Sequence, residues 1–265
     1  MNRLASHTLW TLFGAAMLAF LLAPTLFTLL YSFSEARYFS FPVQSYSLRW
    51  YVAFFSAAKF QKAAIETGLL ALIVVPCCLT AALCTSHAVA RWEFPGRRLV
   101  DALILSPLIV PGVVTGVAFL SLFRILHQDI GLVRMAIAMM VVCLPYAVRA
   151  LAANYGGVDR STEEAARDLG AGPLQAYLKV TLPQLKPGLL AGGVFVLVEV
   201  IDNFAVNVFL VDLDSNTLPI VAYQHIRDFD DPVVAVMSTL LSALALTLVV
   251  VFNRMVGLEK LSQSR

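Results

Sequence analysis

Few side chains in this sequence are equipped for chemistry, and the most telling of them lie close together. The run Phe195–Phe209 reads FVLVEVIDNFAVNVF and sets Glu199, Asp202 and Asn203 in otherwise apolar sequence. Spacings of three and four place all three on one helical face, and Asn207, four beyond Asn203, extends that face by a turn. A carboxylate at mid-bilayer costs about 2.5–3.5 kcal/mol on insertion scales, so these acids are expected to face a bundle interior or a water-filled cavity. Lining a substrate path is the favoured reading, and an internal ion pair to a partner subunit is the other. No reaction chemistry accompanies them. There is no G-x-x-x-x-G-K-[ST] run to cradle a nucleotide, and Arg167 with Asp168 is too small a constellation for catalysis. His7, His87, His127 and His225 fall in separate regions with no ligand spacing, and read as interface or loop histidines. Cys77, Cys78, Cys84 and Cys143 lie in apolar runs without a C-x-x-C pair, which suits small core residues better than a metal or disulfide site. No catalytic residue, metal or cofactor is expected.

A second polar stretch differs in kind. Glu164 to Pro183 reads EAARDLGAGPLQAYLKVTLP, and it is preceded by Ser161-Thr162-Glu163. The S-x-x-E spacing has the form of a capping box, with Ser161 as cap and Glu164 as the third helical residue. Gly170 would end that helix in a left-handed conformation. Pro173 fits the first turn of a second short helix, and Pro183 closes the segment. Ala165 and Ala166 permit close approach of a partner, and Glu164 offers it a carboxylate.

The elements that must carry these groups are membrane spans. The 265 residues are 59% apolar and 14% charged, with a net charge of +2 that does not suggest nucleic acid. Apolar runs over about 8–33, 63–89, 99–123, 131–151, 187–211 and 232–256 are each long enough to cross a hydrocarbon core of about 30 Å as a helix. Their continuous hydrophobicity excludes alternating barrel strands. The first run is too long for a cleaved signal core and reads as an uncleaved span. A single membrane domain over 1–265 is expected, with a polar loop at 153–186. Twelve Lys and Arg lie on the side of both termini and that loop, against Arg37, Arg49, Lys59, Lys62, Arg124, Arg134 and Arg227 opposite. This bias puts the termini and the loop in the cytoplasm.

Three features modulate the plan. Pro107 and Pro111, followed by Gly112 and Gly116, should kink the third span near 106–112, whether for packing or for gating. Ser106, Thr115 and Tyr146 are candidate polar contacts along a path. Residues 34–60 are rich in aromatics (Tyr46, Trp50, Tyr51, Phe54, Phe55) and suit a helix in the outer interface. The loop from Asp212 to Asp231 holds Asp212, Asp214, Asp228, Asp230 and Asp231, and is either a solvated loop or an acidic mouth for a binding protein or a cation.

The spacing Glu164-Ala165-Ala166, three residues, Gly170, nine residues, Val180, one residue, Leu182-Pro183 resembles the cytoplasmic signature of ABC importer permeases. The resemblance implies an all-α integral membrane protein with six transmembrane helices in the type I permease fold. It also implies a cytoplasmic coupling helix between spans 4 and 5 that docks on a separate ATPase. A second permease subunit and a periplasmic substrate-binding protein complete the assembly, in a bacterial inner membrane. The cluster at Glu199, Asp202 and Asn203, with SLRWY at Ser47–Tyr51, resembles the C-type permeases of spermidine/putrescine importers. Polyamine members commonly carry two adjacent aspartates where this sequence has Asp202 and Asn203, and Glu199 partly restores the charge. The implied substrate is a small cationic amine, with an aminobutyrate-like amino acid, an opine or an aminophosphonate as alternatives. An ion-coupled secondary transporter using Glu199 and Asp202 as a relay would need no coupling loop and often shows repeated spans, which are not seen here.

Overall fold

A computed structural model of the chain describes residues 2–38, 42–212 and 215–263. Asp214 of the acidic loop lies outside them, as does the side chain of His7. In chain order the helices are α1 (Asn2–Ser32), α2 (Arg49–Ser56), α3 (Ala58–Arg91), α4 (Arg97–Leu105), α5 (Gly112–Ile125), α6 (Gly131–Tyr155), α7 (Arg160–Asp168), α8 (Pro173–Ala176), α9 (Leu182–Gln184), α10 (Lys186–Asp202), α11 (Leu218–Asp228) and α12 (Val233–Gln263). Among the described residues the only extended pairing is one antiparallel bridge, Ser34 to Tyr46.

Among the described residues four helices are long and apolar enough to cross a membrane unbroken: Trp10–Ser32, Ala58–Arg91, Gly131–Tyr155 and Val233–Phe252. Two more crossings are bent, Arg97–Leu108 with Gly112–Ile125 at 104° and Pro173–Gln184 with Lys186–Asp202 at 68°. Counting each bent pair once gives six.

The bends depart from straight spans for identifiable reasons. In the third crossing, α4 tightens into a 3-10 turn at Ser106–Leu108, and Pro111 takes an extended conformation (ψ 135°) as the residue before α5. A proline disfavours helical backbone in the residue before it and removes its own donor, so the break falls where Pro107 and Pro111 stand. The fifth crossing does not continue to residue 211. Its helix stops at Asp202, Asn203 is extended (φ −70°, ψ 104°), and a 3-10 turn follows at Asn207–Phe209.

The chain forms two compact units. In the first, built from residues 1–61 and 222–246, α2 lays Trp50 and Phe54 inward and leaves Val52 and Phe55 exposed. Ser32 Oγ and the Tyr51 hydroxyl are 2.8 Å apart, and the Phe54 and Phe60 rings stack at 5.1 Å. His225 is not a loop histidine. It is buried between Lys59 Nζ at 2.7 Å and Asp231 Oδ1 at 2.9 Å, and stacked on Phe229 at 4.8 Å.

The second unit, residues 62–221 and 247–265, is organised around α6. Met135, Met139, Cys143, Ala147 and Leu151 are fully buried and pack in one cluster with Leu70 and Val74 of α3 and Val196 and Val200 of α10. Gly188 and Gly192, four apart on α10, let that helix approach α6 closely. A Cβ on Gly188 would stand 2.8 Å from Asn154 Cβ, and one on Gly192 would stand 3.3 Å from Ala147 Cα. Small residues at such spacing permit close helix packing in lipid, where dispersion replaces the hydrophobic drive. Cys78 and Cys143 are buried and Cys77 and Cys84 exposed, all four free.

Candidate functional site

The polar loop folds as two short helices joined at Gly170. Asp159, rather than Ser161, caps α7: its carboxylate accepts the Ser161 backbone N–H at 2.9 Å and the Ser161 hydroxyl at 2.8 Å. Those two bonds hold the Asp159 carboxyl below its ordinary pKa. The expected Ser161–Glu164 capping box therefore does not form, because an aspartate two residues upstream reaches the free amide first. The other end follows expectation. Gly170 has φ +92°, its N–H donates to Arg167 O at 2.9 Å, and Ala171 N–H donates to Ala166 O at 3.0 Å. This is the Schellman closure of a helix, and its left-handed residue favours glycine.

Pro173 begins α8, as expected from its fixed φ. The helix then widens into a π turn at Tyr177–Thr181, where Leu182 N–H reaches back five residues to Tyr177 O. Pro183 accounts for this widening, since it has no N–H for the Lys179 carbonyl and its ring crowds that turn. Pro183 is inside the bent helix, one residue from its end at Gln184, and Leu182 is half-buried.

On α7, Ala165 faces outward with Leu169, which is 90% exposed, Glu164 and Arg167 are exposed at the rim of a cavity they share with Glu163, and Ala166 is half-buried. The opposite face is tied down by residues the signature does not mention. Arg91, the last residue of α3, pairs with Glu163 at 2.9 Å, and Thr181 donates to the same carboxylate oxygen at 2.7 Å. Arg160 donates to the terminal carbonyls of α3, Ala90 O at 3.1 Å and Arg91 O at 3.3 Å. A cavity of about 280 Å³ beside these groups is lined by His87, Trp92, Glu164 and Tyr177 among others. The only sequence hint of this face was the doubled acid Glu163-Glu164.

The acidic cluster sits at a break, not within a continuous helix. Asn203 ends α10, its Nδ2 donating to Glu199 Oε1 at 2.8 Å and its Oδ1 accepting Val206 N–H at 3.0 Å. Asn207, fully buried, donates to Asn203 O at 3.0 Å. The two asparagines thus satisfy backbone groups freed where the helix stops, as broken membrane helices require. Asn207 does not extend the helical face, because the helix has ended. Asp202 is exposed and makes no hydrogen bond or ion pair among the described residues. Glu199 is half-buried, and the Tyr146 phenol on α6 lies within its electrostatic reach. Thr115, on α5, donates to Pro111 O at 3.3 Å across the start of its own helix and is not brought to the cluster by any bond. Nearby, Val206 and Phe209 close on Gly116, where a Cβ would stand 2.6 Å from Phe209 Cδ2.

The acidic loop is partly structural. Asp212 accepts Gly131 N–H at 2.7 Å at the start of α6 and Ser215 N–H at 2.7 Å, and lies 3.6 Å from Arg134. Among the described residues no group of three or more His, Cys, Asp or Glu is placed to hold a metal.

Comparison with known proteins gives these features a setting. Residues 75–258 match the family model described as "binding-protein-dependent transport system inner membrane component". The chain belongs to this family. Family membership makes it a permease subunit of an ABC importer, a multi-pass inner-membrane protein and a non-catalytic component. The permease is 26% identical to the spermidine/putrescine transport system permease PotC of Haemophilus influenzae, over 88% of this chain and 90% of that one. It is 29% identical to the putrescine transport system permease PotI of Escherichia coli K12, over 84% and 81%. A probable sulfate transport system permease of Nephroselmis olivacea is 26% identical over 95% and 90%. Among solved structures, a bacterial ABC transporter that imports the acidic polysaccharide alginate superposes with a TM-score of 0.70 at 19% identity, over 97% of this permease and 98% of that chain. The likeness carries the type I permease fold.

Proposed function

We propose that this permease forms half of the path for a small cationic amine of the spermidine or putrescine kind. In the working assembly it pairs with a second permease, two ATPase subunits and a periplasmic binding protein. The loop at 153–186 lies in the cytoplasm, as do both termini, and the exposed face of α7 docks on an ATPase. Glu164, Ala165 and Ala166 make that contact, Gly170 sets the turn, and Leu182 and Pro183 shape the helix that returns to the membrane. ATP-driven closure of the ATPases draws the coupling loops together and opens the cavity outward, and hydrolysis returns it inward. Asp202, with Glu199 behind it and Asn203 fixing the break, presents negative charge to the passing solute, and Tyr146 and Thr115 add polar edges.

The observation that carries the substrate class is the exposed, unpaired Asp202 at a helix break, in a sequence whose relatives include permeases named for polyamines. Relatives named for sulfate and alginate share the machinery, yet an anion would be repelled by this pair of acids. The deciding experiment has two parts. The cognate periplasmic protein is titrated with putrescine, spermidine, 4-aminobutyrate and an aminophosphonate by calorimetry, and uptake of the tightest ligand is then followed in proteoliposomes holding the whole assembly. Polyamine binding followed by ATP-dependent polyamine uptake is expected. Preference for a zwitterion or an anion would replace the substrate class, and uptake without ATP would replace the machinery.

A further inference from the structure

The outward face of α7 is where an ATPase can dock, but a docked helix moves a transporter only if its other face is fixed to something. That face carries two independent attachments to the end of α3. Arg91 and Glu163 meet at 2.9 Å with both side chains largely shielded, 12% and 18% exposed. Shielding of this degree raises the strength of a charge pair above that of an open surface pair. Arg160, the first residue of α7, donates to Ala90 O and Arg91 O, two of the carbonyls that any helix leaves unbonded at its C-terminus. The same Glu163 oxygen accepts from Thr181, which is fully buried in the π turn leading to α10. Gln184 Nε2, a turn further on, donates to Thr162 Oγ1 at 3.3 Å. Beside them His87 Nδ1 and the Tyr155 hydroxyl are 3.1 Å apart, joining α3 to the end of α6, and the Tyr177 ring packs edge-on to His87 at 4.7 Å.

Resting on the reading of α7 as the ATPase-docking helix, we infer that Arg91, Glu163 and Thr181 form the pivot that converts its displacement into movement of α3 and α10. Glu163 is then a positioning residue, distinct in job from Glu164 beside it. Glu164 faces the partner, and Glu163 faces the spans. The carboxylate serves two donors from two different elements through one oxygen, so α7, the last turn of α3 and the π turn travel as one body.

The test follows distances inside the assembled transporter, with ATPases and second permease present. Nitroxides are placed at native Cys84 on α3 and at Arg167→Cys, at the exposed rim of the cavity beside Glu163 and off the outward face at Ala165, in a Cys77→Ser background, with labelled chain diluted into unlabelled. Double electron–electron resonance is recorded without nucleotide and after vanadate trapping. With the pivot intact the Cys84–Arg167 distance is the same in both states. In Glu163→Gln, and separately in Arg91→Met, the complex still co-purifies with its ATPase but the distance shifts and broadens on trapping, and Arg91→Lys restores the narrow distribution. A distance that changes on trapping in the parent protein overturns the pivot, because α7 then moves independently of α3. So does an unchanged distance in both variants accompanied only by a lower melting midpoint, which marks the ion pair as mere reinforcement of the fold. Loss of ATPase co-purification from the parent protein itself overturns the docking reading, and the pivot with it. That failure is recognised before any distance is measured.

Discussion

At the scale of single residues, two neighbours in the acidic cluster divide the work in a way letters alone do not reveal. Asp202 and Asn203 both look like candidates for substrate, and the spacing puts them on one face with Glu199. The structure gives Asn203 two side-chain and two backbone bonds to its own chain and leaves the Asp202 side chain with none among the described residues. Substituting each should therefore produce different failures. Asn203→Ala removes the acceptor for Val206 N–H and the donor to Glu199, and leaving such groups unpaired away from water costs about 1–3 kcal/mol. It is expected to lower the melting midpoint of the purified assembly. Asp202→Asn is expected to leave that midpoint in place and, on the function proposed above, to slow uptake of a cationic amine, with Glu199→Gln milder, because a charge is lost without any bond to the fold. Initial uptake rates and thermal denaturation of the same preparations separate the two. Normal uptake by a stable Asp202→Asn assembly would remove the acid from the path. The location of the cluster was readable because acids in apolar sequence are conspicuous. Its division was not, because helix termination by a half-buried asparagine has no hydropathy signature.

At the scale of elements, legibility tracks whether a residue acts through its own backbone or through a distant partner. Gly170, Pro173, Pro107 and Pro111 act locally, and the turn, the helix start and the break all occur where those residues stand. The cap of α7 was misassigned because Asp159 and Ser161 are both good caps, and the sequence does not rank two competitors two residues apart. The grip of Arg91 on Glu163 spans 72 positions in sequence and left no local trace. Close approach of α6 and α10 is of this second kind, since it depends on Gly188 meeting Asn154 and Ala150. Gly188→Val should force the helices apart, at a cost of about 1–3 kcal/mol for overpacking a filled site. Gly193, one position past Gly192, has only ordinary contact at 3.5 Å from Leu79 Cδ1, so Gly193→Ala should be near neutral. Equal melting midpoints for both variants would show that the tight helix pair contributes little. The coupling turn gives a matching expectation. Gly170→Ala places a Cβ at φ +92° and costs about 1 kcal/mol locally, whereas Gly170→Glu and Glu164→Arg add bulk or reverse charge on the exposed face. The latter two should uncouple ATP hydrolysis from uptake in assembled transporter. Parent-like ratios of ATP hydrolysed to solute imported would remove that face from the ATPase contact.

At the scale of the whole molecule, the helices of this chain keep a large apolar surface uncovered. No residue of α1 from Trp10 to Leu30 is buried, and Phe13, Leu18, Phe20 and Leu21 are each more than half exposed. In water such a surface would drive association, but in a membrane it is the surface that lipid and a second permease cover. Composition made this legible at once, since a chain 59% apolar has far more apolar side chains than its own core takes up. Orientation is a separate matter, because length and hydropathy are the same read from either side. It rests on twelve basic residues against seven, and on the proposed docking of α7 on a cytoplasmic ATPase. These two arguments are independent, one electrostatic and one mechanical, and they make a joint forecast for loops that should lie on opposite sides. In a chain freed of its four cysteines, Gly172→Cys sits in the exposed turn before α8 and Asp129→Cys in the exposed turn before α6. An impermeant maleimide added to intact spheroplasts should label position 129 and spare position 172, and lysis should render both reactive. The reverse pattern would invert the molecule and put α7 out of reach of ATP. Labelling of both positions in intact spheroplasts would mean that α6, the one crossing between them in sequence, does not traverse the bilayer.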